Sequence, residues 1–311
     1  MASQDTSRPA SGEQVRLRRG DYAASIASVG ATLRALEHGG RPLVVPFAAD
    51  EVRPSFRGAT LVPWPNRIVD GRYAFRGAQH QAALTEPSRG HALHGLGAWL
   101  DYGTVERRDD RVHLAATIQP QQGYPWRIRI DTVFALADDG LTQTVTATNL
   151  SPEPAPFGTA PHPYLVAGPG KVDDWALELP ADRVALTEGE RLLPGEVAGV
   201  EVDPERFDFR APRRIGAVAV DHAFTALRRD PAGRATVRLT ADDGSGVAMT
   251  WGPECAWLQI HTADLPGEPA HRVGLATEPM TCPPDAFNSG EDLVVLDPGA
   301  SFRASWTITA L

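Results

Sequence analysis

The 311-residue chain has only two cysteines, Cys255 and Cys282. Neither belongs to a CxxC motif or to a cluster of cysteine and histidine, so the sequence carries no zinc-binding signature. One disulfide is conceivable, but we expect two free thiols because we interpret the protein as cytoplasmic. No motif for a metal or an organic cofactor is present, and we expect the protein to need neither.

Long apolar runs are absent as well. No stretch approaches 18 consecutive apolar residues, so the sequence predicts no transmembrane helix and no membrane partner. The first 20 residues are polar and lack the apolar segment of a signal peptide. We therefore expect residues 1–14 to form a disordered tail and residues 15–311 to form a single domain, as a monomer or a homodimer in the cytoplasm.

Basic residues are fewer than acidic ones: 30 Lys and Arg stand against 39 Asp and Glu, for a net charge of −9. An acidic chain is a poor non-specific ligand for nucleic acids and anionic membranes, so we expect no nucleic-acid partner. The charge also argues against a strongly anionic substrate, although a local basic pocket could override the overall sign.

Helical patterns are missing too, since no stretch of twelve or more residues combines an apolar stripe with helix caps. Apolar and polar residues alternate instead, which is typical of half-buried strands. The Asp138-Asp139-Gly140 turn signal follows such a run, in which one face holds Trp126, Ile128, Ile130, Phe134 and Leu136. Similar runs occur over 235–251 and 302–311, and the whole chain contains 29 glycines and 27 prolines, which favour turns. Together these features predict an all-β fold, a large antiparallel sandwich or barrel.

Several polar segments interrupt this pattern, and each has an ordinary explanation when taken alone. A lone histidine is usually a surface residue or a satisfied core residue, and a lone glutamate usually faces solvent. The segments are Asn66-Arg67-Ile68 followed by Gly71, Tyr73, Phe75 and Gly77; Leu93-His94-Gly95 with Trp99; Gly123-Tyr124-Pro125; His162-Pro163-Tyr164; Asp221-His222-Ala223-Phe224; and Leu275-Ala276-Thr277-Glu278-Pro279-Met280.

In this order and spacing, the segments resemble the aldose 1-epimerase (galactose mutarotase) family over nearly the whole chain. The resemblance implies a galactose mutarotase-like β-supersandwich that interconverts the α and β anomers of a free monosaccharide. It implies that His162 is the catalytic acid and Glu278 the catalytic base. It further implies that the sugar is held by Arg67, His94, Asp221, Asn66 and Tyr164.

The resemblance does not identify the sugar. Members of the family that handle galactose tend to read HGG and HPYFNL at two of these segments. Here the corresponding residues are His94-Gly95-Leu96-Gly97 and His162-Pro163-Tyr164-Leu165-Val166-Ala167. The acid and the base are retained, whereas the sugar preference is left open.

Anomer exchange requires the sugar ring to open, so the C1 hydroxyl must lose a proton while the ring oxygen gains one. We expect partial burial to raise the pKa of Glu278 and so improve it as a base. We expect His162 to titrate near 6.5, with Asp221 favouring its charged form. Trp64, Trp99 or Tyr164 could pack against the sugar ring, although core packing is the expected role of Trp99.

Three alternatives stay open. A glycoside hydrolase would use two carboxylates, for which Asp221 and Glu278 are available, but His162 would then have no task. A hexose-6-phosphate 1-epimerase would need cationic groups at the mouth of the pocket, and the candidates are Arg53, Arg57 and Arg89. A sugar-binding β-sandwich without catalysis would need no acid–base pair.

Overall fold

Alternating apolar residues build antiparallel strands along nearly the whole chain of the computed structural model, which describes residues 8–311. In chain order the strands are β1 (Gln14–Arg19), β2 (Tyr22–Ala27), β3 (Thr32–His38), β4 (Arg41–Pro42), β5 (Thr60–Leu61), β6 (Arg67–Ile68), β7 (Arg72–Phe75), β8 (Ala78–Gln81), β9 (Ala92–Leu93), β10 (Gly103–Arg107), β11 (Arg111–Ile118), β12 (Ile128–Ala137), β13 (Gly140–Asn149), β14 (Ala155–Phe157), β15 (Ala160–Pro161), β16 (Tyr164–Leu165), β17 (Ala176–Glu178), β18 (Ala181–Glu188), β19 (Leu193–Gly199), β20 (Arg213–Arg214), β21 (Asp221–Leu227), β22 (Ala235–Thr240), β23 (Gly246–Trp251), β24 (Trp257–His261), β25 (Leu275–Met280), β26 (Val294–Leu296) and β27 (Ser301–Ala310).

Helices are few and short in the part of the chain that the structure describes, as the sequence predicts. The two α-helices are α1 (Pro204–Phe207) and α2 (Ala286–Ser289). Single 3₁₀ turns occur at Pro54–Phe56, Val69–Gly71, Gly97–Trp99, Val172–Asp174 and Val200–Val202. Among residues 8–311, no helix is both long enough and apolar enough to cross a membrane.

The predicted hairpins are confirmed. Strands β12 and β13 pair from Ile128↔Asn149 to Ala137↔Gly140, so the turn falls at Asp138-Asp139. Strands β22 and β23 pair in the same way, with Thr240 opposite Gly246. The predicted inner face of β12 is buried, because period-two alternation places its apolar side chains against the core.

Three larger sheets contain most of the strands. The nine-stranded sheet has the order β10-β11-β12-β13-β27-β23-β22-β17-β20, the six-stranded sheet β16-β25-β24-β21-β18-β19, and the four-stranded sheet β1-β2-β3-β4. One contiguous apolar core includes residues from Val15 to Ile308, among them the tryptophans Trp175, Trp251 and Trp306. This arrangement confirms the all-β prediction.

A buried hydrogen-bond chain ties the nine-stranded sheet to the loops that carry the polar motifs. The Trp306 indole N–H donates to Oε1 of Gln143 at 3.0 Å, and the Gln143 amide donates to the Thr60 hydroxyl at 2.9 Å. Thr60 lies in β5, which pairs with β15 through Thr60↔Pro161. The segment that precedes His162 is therefore fixed against the rigid sheet, because buried polar groups must keep their partners.

The predicted N-terminal tail is wrong for the residues that the structure describes. The Arg8 guanidinium forms an ion pair with Asp101 at 2.9 Å, and Ser11 is buried with its backbone N–H and hydroxyl both donated to the Ala49 carbonyl oxygen. Strand β1 begins at Gln14. The polar side chains that suggest disorder instead form hydrogen bonds and an ion pair with the domain. Residues 1–7 lie outside the described residues.

The two cysteines are free thiols, as expected, and both are buried. Burial raises the pKa of Cys282 to about 12, and it also raises the pKa of Cys255. Both thiols are therefore protonated at neutral pH and are poor nucleophiles, which gives them a packing role.

Candidate active site

The floor of the site is formed by neighbouring strands of the six-stranded sheet. Glu278 on β25 lies directly opposite Gln259 on β24, which in turn lies opposite Ala223 on β21. Two residues along β24 and β21, Asp221 lies opposite His261. Because side chains two residues apart share a face, this register brings the acid, amide and imidazole groups to one surface of the sheet.

His162 reaches this surface from the segment between β15 and β16. Its backbone N–H donates to the Ala59 carbonyl oxygen at 3.1 Å, and its own carbonyl oxygen accepts from the Gly58 N–H at 2.7 Å. The imidazole Nε2 lies 3.4 Å from Oε1 of Glu278, and the two side chains are only 6% and 3% exposed. The two predicted catalytic groups are thus adjacent and shielded from water.

His94 is oriented by Asn66 through two hydrogen bonds between the ends of β9 and β6. The His94 backbone N–H donates to the Asn66 carbonyl oxygen at 2.8 Å, and the Asn66 N–H donates to Nδ1 of the His94 ring at 3.2 Å. Burial, with the nearby charges of His162 and Arg67, lowers the pKa of His94 well below its ordinary value. A neutral ring that accepts at Nδ1 carries its proton on Nε2, so His94 presents an N–H donor.

Several residues around His94 and His162 have strained backbone conformations. They line one cavity, which is described below. Four of its lining residues adopt positive φ angles, namely Ser55 (45°), Phe56 (54°), Asn66 (53°) and His94 (60°). Asparagine accepts this conformation more readily than the other three. Such conformations cost about 1–3 kcal/mol each and persist where the surroundings impose them, which is characteristic of functional sites.

Arg67 is held by a carboxylate that the sequence interpretation missed. Its Nε donates to Oε2 of Glu86 at 2.8 Å and its Nη2 to Oε1 at 3.0 Å, a bidentate pair in which both side chains are largely buried. Arg89 contacts the same carboxylate at 2.7 Å. Although burial alone would raise the pKa of Glu86, the two arginines lower it below its ordinary value. Glu86 therefore stays ionised and fixes the Arg67 guanidinium.

If the site binds the sugar that the family resemblance implies, we predict that Glu86→Gln weakens sugar binding more than it slows the chemical step. The variant loses the bidentate charge-assisted contact, so Arg67 becomes less well positioned, and KM should rise about tenfold with a smaller change in kcat. Steady-state kinetics of anomer exchange measure both constants. Arg89→Ala, which removes the more exposed partner of the same carboxylate, should change KM about twofold or less. Equal changes in KM for both variants would contradict this role of Glu86.

All seven residues predicted for the site line a single cavity of 310 Å³. We call it the central pocket. Its remaining walls include Arg89, a candidate for the phosphorylated-sugar alternative, and side chains not predicted from the sequence, namely Ser55, Phe56, Glu86, Leu93, Gln259, His261, Asp264 and Leu265. The volume and the mixture of apolar and polar walls suit a small polar molecule.

Of the three aromatic residues considered for contact with the sugar ring, only Tyr164 lines the central pocket. Tyr164 lines the central pocket and stacks on the His162 ring, with centroids 5.2 Å apart and an interplanar angle of 18°. Trp64 is buried in the core, so it does not face the pocket. Trp99 is 54% exposed and lies outside the pocket, which corrects both its expected core packing and its possible contact with a sugar. Phe56 packs edge-on against His94 instead, with centroids 4.7 Å apart.

Several polar atoms of the central pocket have no partner among the residues that the structure describes. They are Nδ1 of His162, Oε2 of Glu278, Oε1 of Gln259 and Nδ1 of His261. Buried polar atoms are nearly always hydrogen-bonded, so four unpaired ones among the residues that line a single cavity are unusual and mark this region as a candidate site. Gln259 and His261 were not predicted, because only the pairing of β24 with β25 brings them beside Glu278.

The expected pKa of His162 is wrong. Burial lowers the pKa of His162 to about 3, and the nearby Asp221 only partly opposes this shift. Burial also raises the pKa of Glu278 well above its ordinary value, reinforced by Asp221, as the sequence interpretation expects in direction. Loss of hydration disfavours the charged form of each group, so burial favours a neutral imidazole beside a protonated carboxyl group over the ion pair.

A metal ion does not suit this cluster. Ligand atoms of His94, His162 and Glu278 lie within 4.8 Å of one another, which is compatible with a cation in distance alone. However, Asn66 donates to Nδ1 of His94, which leaves the proton on Nε2. Metal-binding histidines show the reverse arrangement, in which the distal nitrogen donates to the protein and the metal takes the other.

Comparison with known proteins adds family relationships to this geometry. The model of the family described as aldose 1-epimerase matches residues 13–309. The uncharacterized protein YihR of Escherichia coli strain K12 is 34% identical over 313 residues, which cover 98% of this chain and 96% of YihR. The uncharacterized protein YphB of the same strain is 28% identical over 300 residues, covering 94% of this chain and 97% of YphB.

Solved structures share the fold. A GalM/aldose epimerase homologue from C. elegans superimposes with a TM-score of 0.85 at 20% identity, over 96% of this chain and 98% of the other. A galactose 1-epimerase from Lactobacillus acidophilus NCFM gives a TM-score of 0.80 at 18% identity, over 96% and 94%. At these identities the likeness concerns the fold, and it confirms the predicted galactose mutarotase-like β-supersandwich.

Proposed function

Because the chain belongs to the aldose 1-epimerase family, we propose that it interconverts the α and β anomers of a free aldose, with His162 and Glu278 as its proton-transfer pair. The observation that carries the proposal is the 3.4 Å separation between Nε2 of His162 and Oε1 of Glu278 inside the central pocket. The two oxygens that exchange protons in this reaction are bonded to the same carbon, C1. An acid and a base that serve both oxygens must be close neighbours.

In the forward direction, Glu278 takes the proton of the C1 hydroxyl while His162 gives a proton to the ring oxygen O5. The electrons of the O–H bond form the carbonyl, the C1–O5 bond breaks, and the open-chain aldehyde results. Rotation about C1–C2 exposes the other face of the aldehyde. Re-closure reverses both proton transfers, so that each residue takes the opposite role and the pair returns to its starting state.

The neutral pair that burial favours contains the right number of protons for this chemistry. A protonated Glu278 beside a neutral His162 has the same proton count as a carboxylate beside an imidazolium, and the two forms differ by one transfer across 3.4 Å. Hydrogen bonds from sugar hydroxyls and from Arg67 to the carboxylate would favour the charged form. Sugar binding then activates the pair without taking up a proton from solvent.

The pH dependence of kcat/KM should report this proton count. Below pH about 3 the pair gains a second proton on His162, and Glu278 cannot act as a base. Above the raised pKa of Glu278 the pair loses its only proton, and His162 cannot act as an acid. We therefore predict that kcat/KM falls on the acid side only as the pH approaches about 3, measured by anomer exchange with the uncatalysed rate subtracted. A decline on the acid side centred near the ordinary glutamate pKa of about 4.3 would instead indicate unperturbed groups.

The remaining groups of the central pocket are suited to holding sugar oxygens. His94 presents an Nε2–H donor and Arg67 presents guanidinium donors. Asp221 is an acceptor whose Oδ1 already receives the Gln259 amide N–H at 2.7 Å. We propose that these residues, with Asn66, fix the ring so that C1 faces the catalytic pair.

The phosphorylated-sugar alternative receives little support from the candidate arginines. Arg53 is buried and donates to the Thr32 hydroxyl at 2.6 Å, and neither Arg53 nor Arg57 lines the central pocket. Arg89 does line it, but its guanidinium is paired with Glu86. This arrangement favours an unphosphorylated aldose.

The contact of His162 with Glu278 likewise favours the epimerase over a glycoside hydrolase, which would leave His162 without a task.

The direct test follows optical rotation after freshly dissolved α-D-glucose, α-D-galactose and α-D-glucose 6-phosphate are mixed with the enzyme. We expect relaxation faster than the buffer background for at least one unphosphorylated sugar, and a lower kcat/KM for the 6-phosphate. Preference for the 6-phosphate would support the phosphorylated-sugar alternative. Background rates for every aldose tested would contradict the epimerase. The cytoplasmic location and the monomeric or homodimeric state stay predictions.

A further inference from the structure

A second cavity of 160 Å³ adjoins the central pocket. Asn66, Arg67, Asp221 and Gln259 line both cavities, so these residues form the shared boundary. We call the second cavity the side pocket. Its lining includes Leu186 and Val197 of the β18–β19 hairpin, Pro283 and Pro284, and the small residues Ala185 and Ala223.

The side pocket lies along a defined direction from the catalytic pair. Glu278, Gln259, Ala223 and Ala185 lie directly opposite one another on the four adjacent strands β25, β24, β21 and β18. Neighbouring strands are about 4.8 Å apart, which places Ala185 about 14 Å from Glu278. Asp221, which the proposed function assigns to sugar binding, lines both cavities. A sugar with C1 at Glu278 that also contacts Asp221 extends towards the side pocket, and a substituent on its far end would enter beside the two alanines.

Several polar side chains that line the side pocket are already engaged, whereas Ser289 and Glu291 line it from exposed positions. Nδ1 of His222 accepts from the Asp221 N–H at 3.1 Å, and burial lowers the pKa of His222 to about 4, so the ring is neutral. The Trp257 indole N–H donates to Asp292 at 2.8 Å, and the Gln259 amide donates to Asp221. Few donors are left for the hydroxyls of a second sugar ring, whereas the leucine, valine, proline and alanine walls suit an apolar group.

We propose that the side pocket binds an apolar alkyl or aryl substituent, carried as an ether on the end of the aldose remote from C1. The inference rests on the proposed function and narrows its substrate class: the preferred substrate is an O-substituted aldose rather than the bare sugar. The space above Ala185 and Ala223 is what admits the substituent, because a larger side chain at either position would fill it.

The test compares D-glucose and D-galactose with their 4-O-benzyl ethers, with maltose as a probe for a second sugar ring. The proteins are the wild type, Ala185→Leu, which narrows the side pocket without lining the central pocket, and Ala232→Leu, which adds the same atoms on an exposed turn. For the wild type we expect kcat/KM at least about tenfold higher for one benzyl ether than for its parent sugar. Ala185→Leu should remove this advantage and leave the parent within about twofold, and Ala232→Leu should change neither value.

Three results would overturn the inference: a benzyl ether no better than its parent sugar, equal losses for ether and parent in Ala185→Leu, or a preference for maltose over the ether. Calorimetric titration of the same compounds separates this inference from the proposed function, since it requires no catalysis. Tighter binding of the ether than of the parent, lost in Ala185→Leu, would uphold the side pocket even if no anomer exchange occurred. Equal affinities would refute it in either case.

Discussion

We expect Glu278→Gln to lower kcat for anomer exchange by about a thousandfold. The amide has nearly the shape of the carboxyl group but cannot take the proton of the C1 hydroxyl, and loss of a positioned base typically costs 10²–10⁴-fold. KM should change little, because the variant retains the proposed sugar contacts of Arg67, His94 and Asp221. The measurement is the rate of optical-rotation change above the buffer background at several sugar concentrations.

The stability of Glu278→Gln provides the control. The folded protein raises the pKa of Glu278, so burying its carboxylate opposes folding at any pH above the ordinary glutamate pKa of about 4.3. A neutral glutamine avoids this cost. The variant should therefore be at least as stable as the wild type at pH 7, with a difference that shrinks as the pH falls towards 4, as thermal unfolding would show. A destabilised variant would mean that a fold defect contributes to the lost activity.

His162→Asn should lower kcat by about a hundredfold to a thousandfold, because asparagine can donate a hydrogen bond to O5 but cannot transfer a proton to it. His113→Asn is a matched control, since His113 lies on β11 and pairs with Asp131 outside the central pocket. That variant should keep wild-type kcat. Equal kcat values for the two histidine variants would show that His162 has no special role.

The two catalytic substitutions should not add. Groups that act in one concerted proton exchange fail together, so the double variant should be about as slow as the slower single variant. Multiplied losses would indicate that His162 and Glu278 contribute independently, which the 3.4 Å contact between them does not suggest.

The sequence predicted elements whose signal is local. The β12–β13 hairpin follows from period-two alternation and an Asp-Gly turn, and both are properties of a few adjacent residues. The seven site residues came from an ordered set of motifs, and the structure places all of them in one cavity.

Features that depend on long-range pairing could not be predicted. Gln259 and His261 look like ordinary strand residues until β24 pairs with β25 and places Gln259 opposite Glu278. Glu86 looks like a surface carboxylate until it meets Arg67. The pKa of His162 likewise depends on complete burial, which no neighbouring residue in the sequence reveals.

Exchange NMR on equilibrated D-glucose and D-galactose tests the central claim most directly, because it detects ring opening and closure without net reaction. With the wild-type protein we predict cross-peaks between the α and β H1 resonances of at least one sugar, at mixing times where buffer alone gives none. Glu278→Gln and His162→Asn should each abolish them. Cross-peaks of wild-type intensity from a folded Glu278→Gln protein would contradict the assignment of the His162–Glu278 pair.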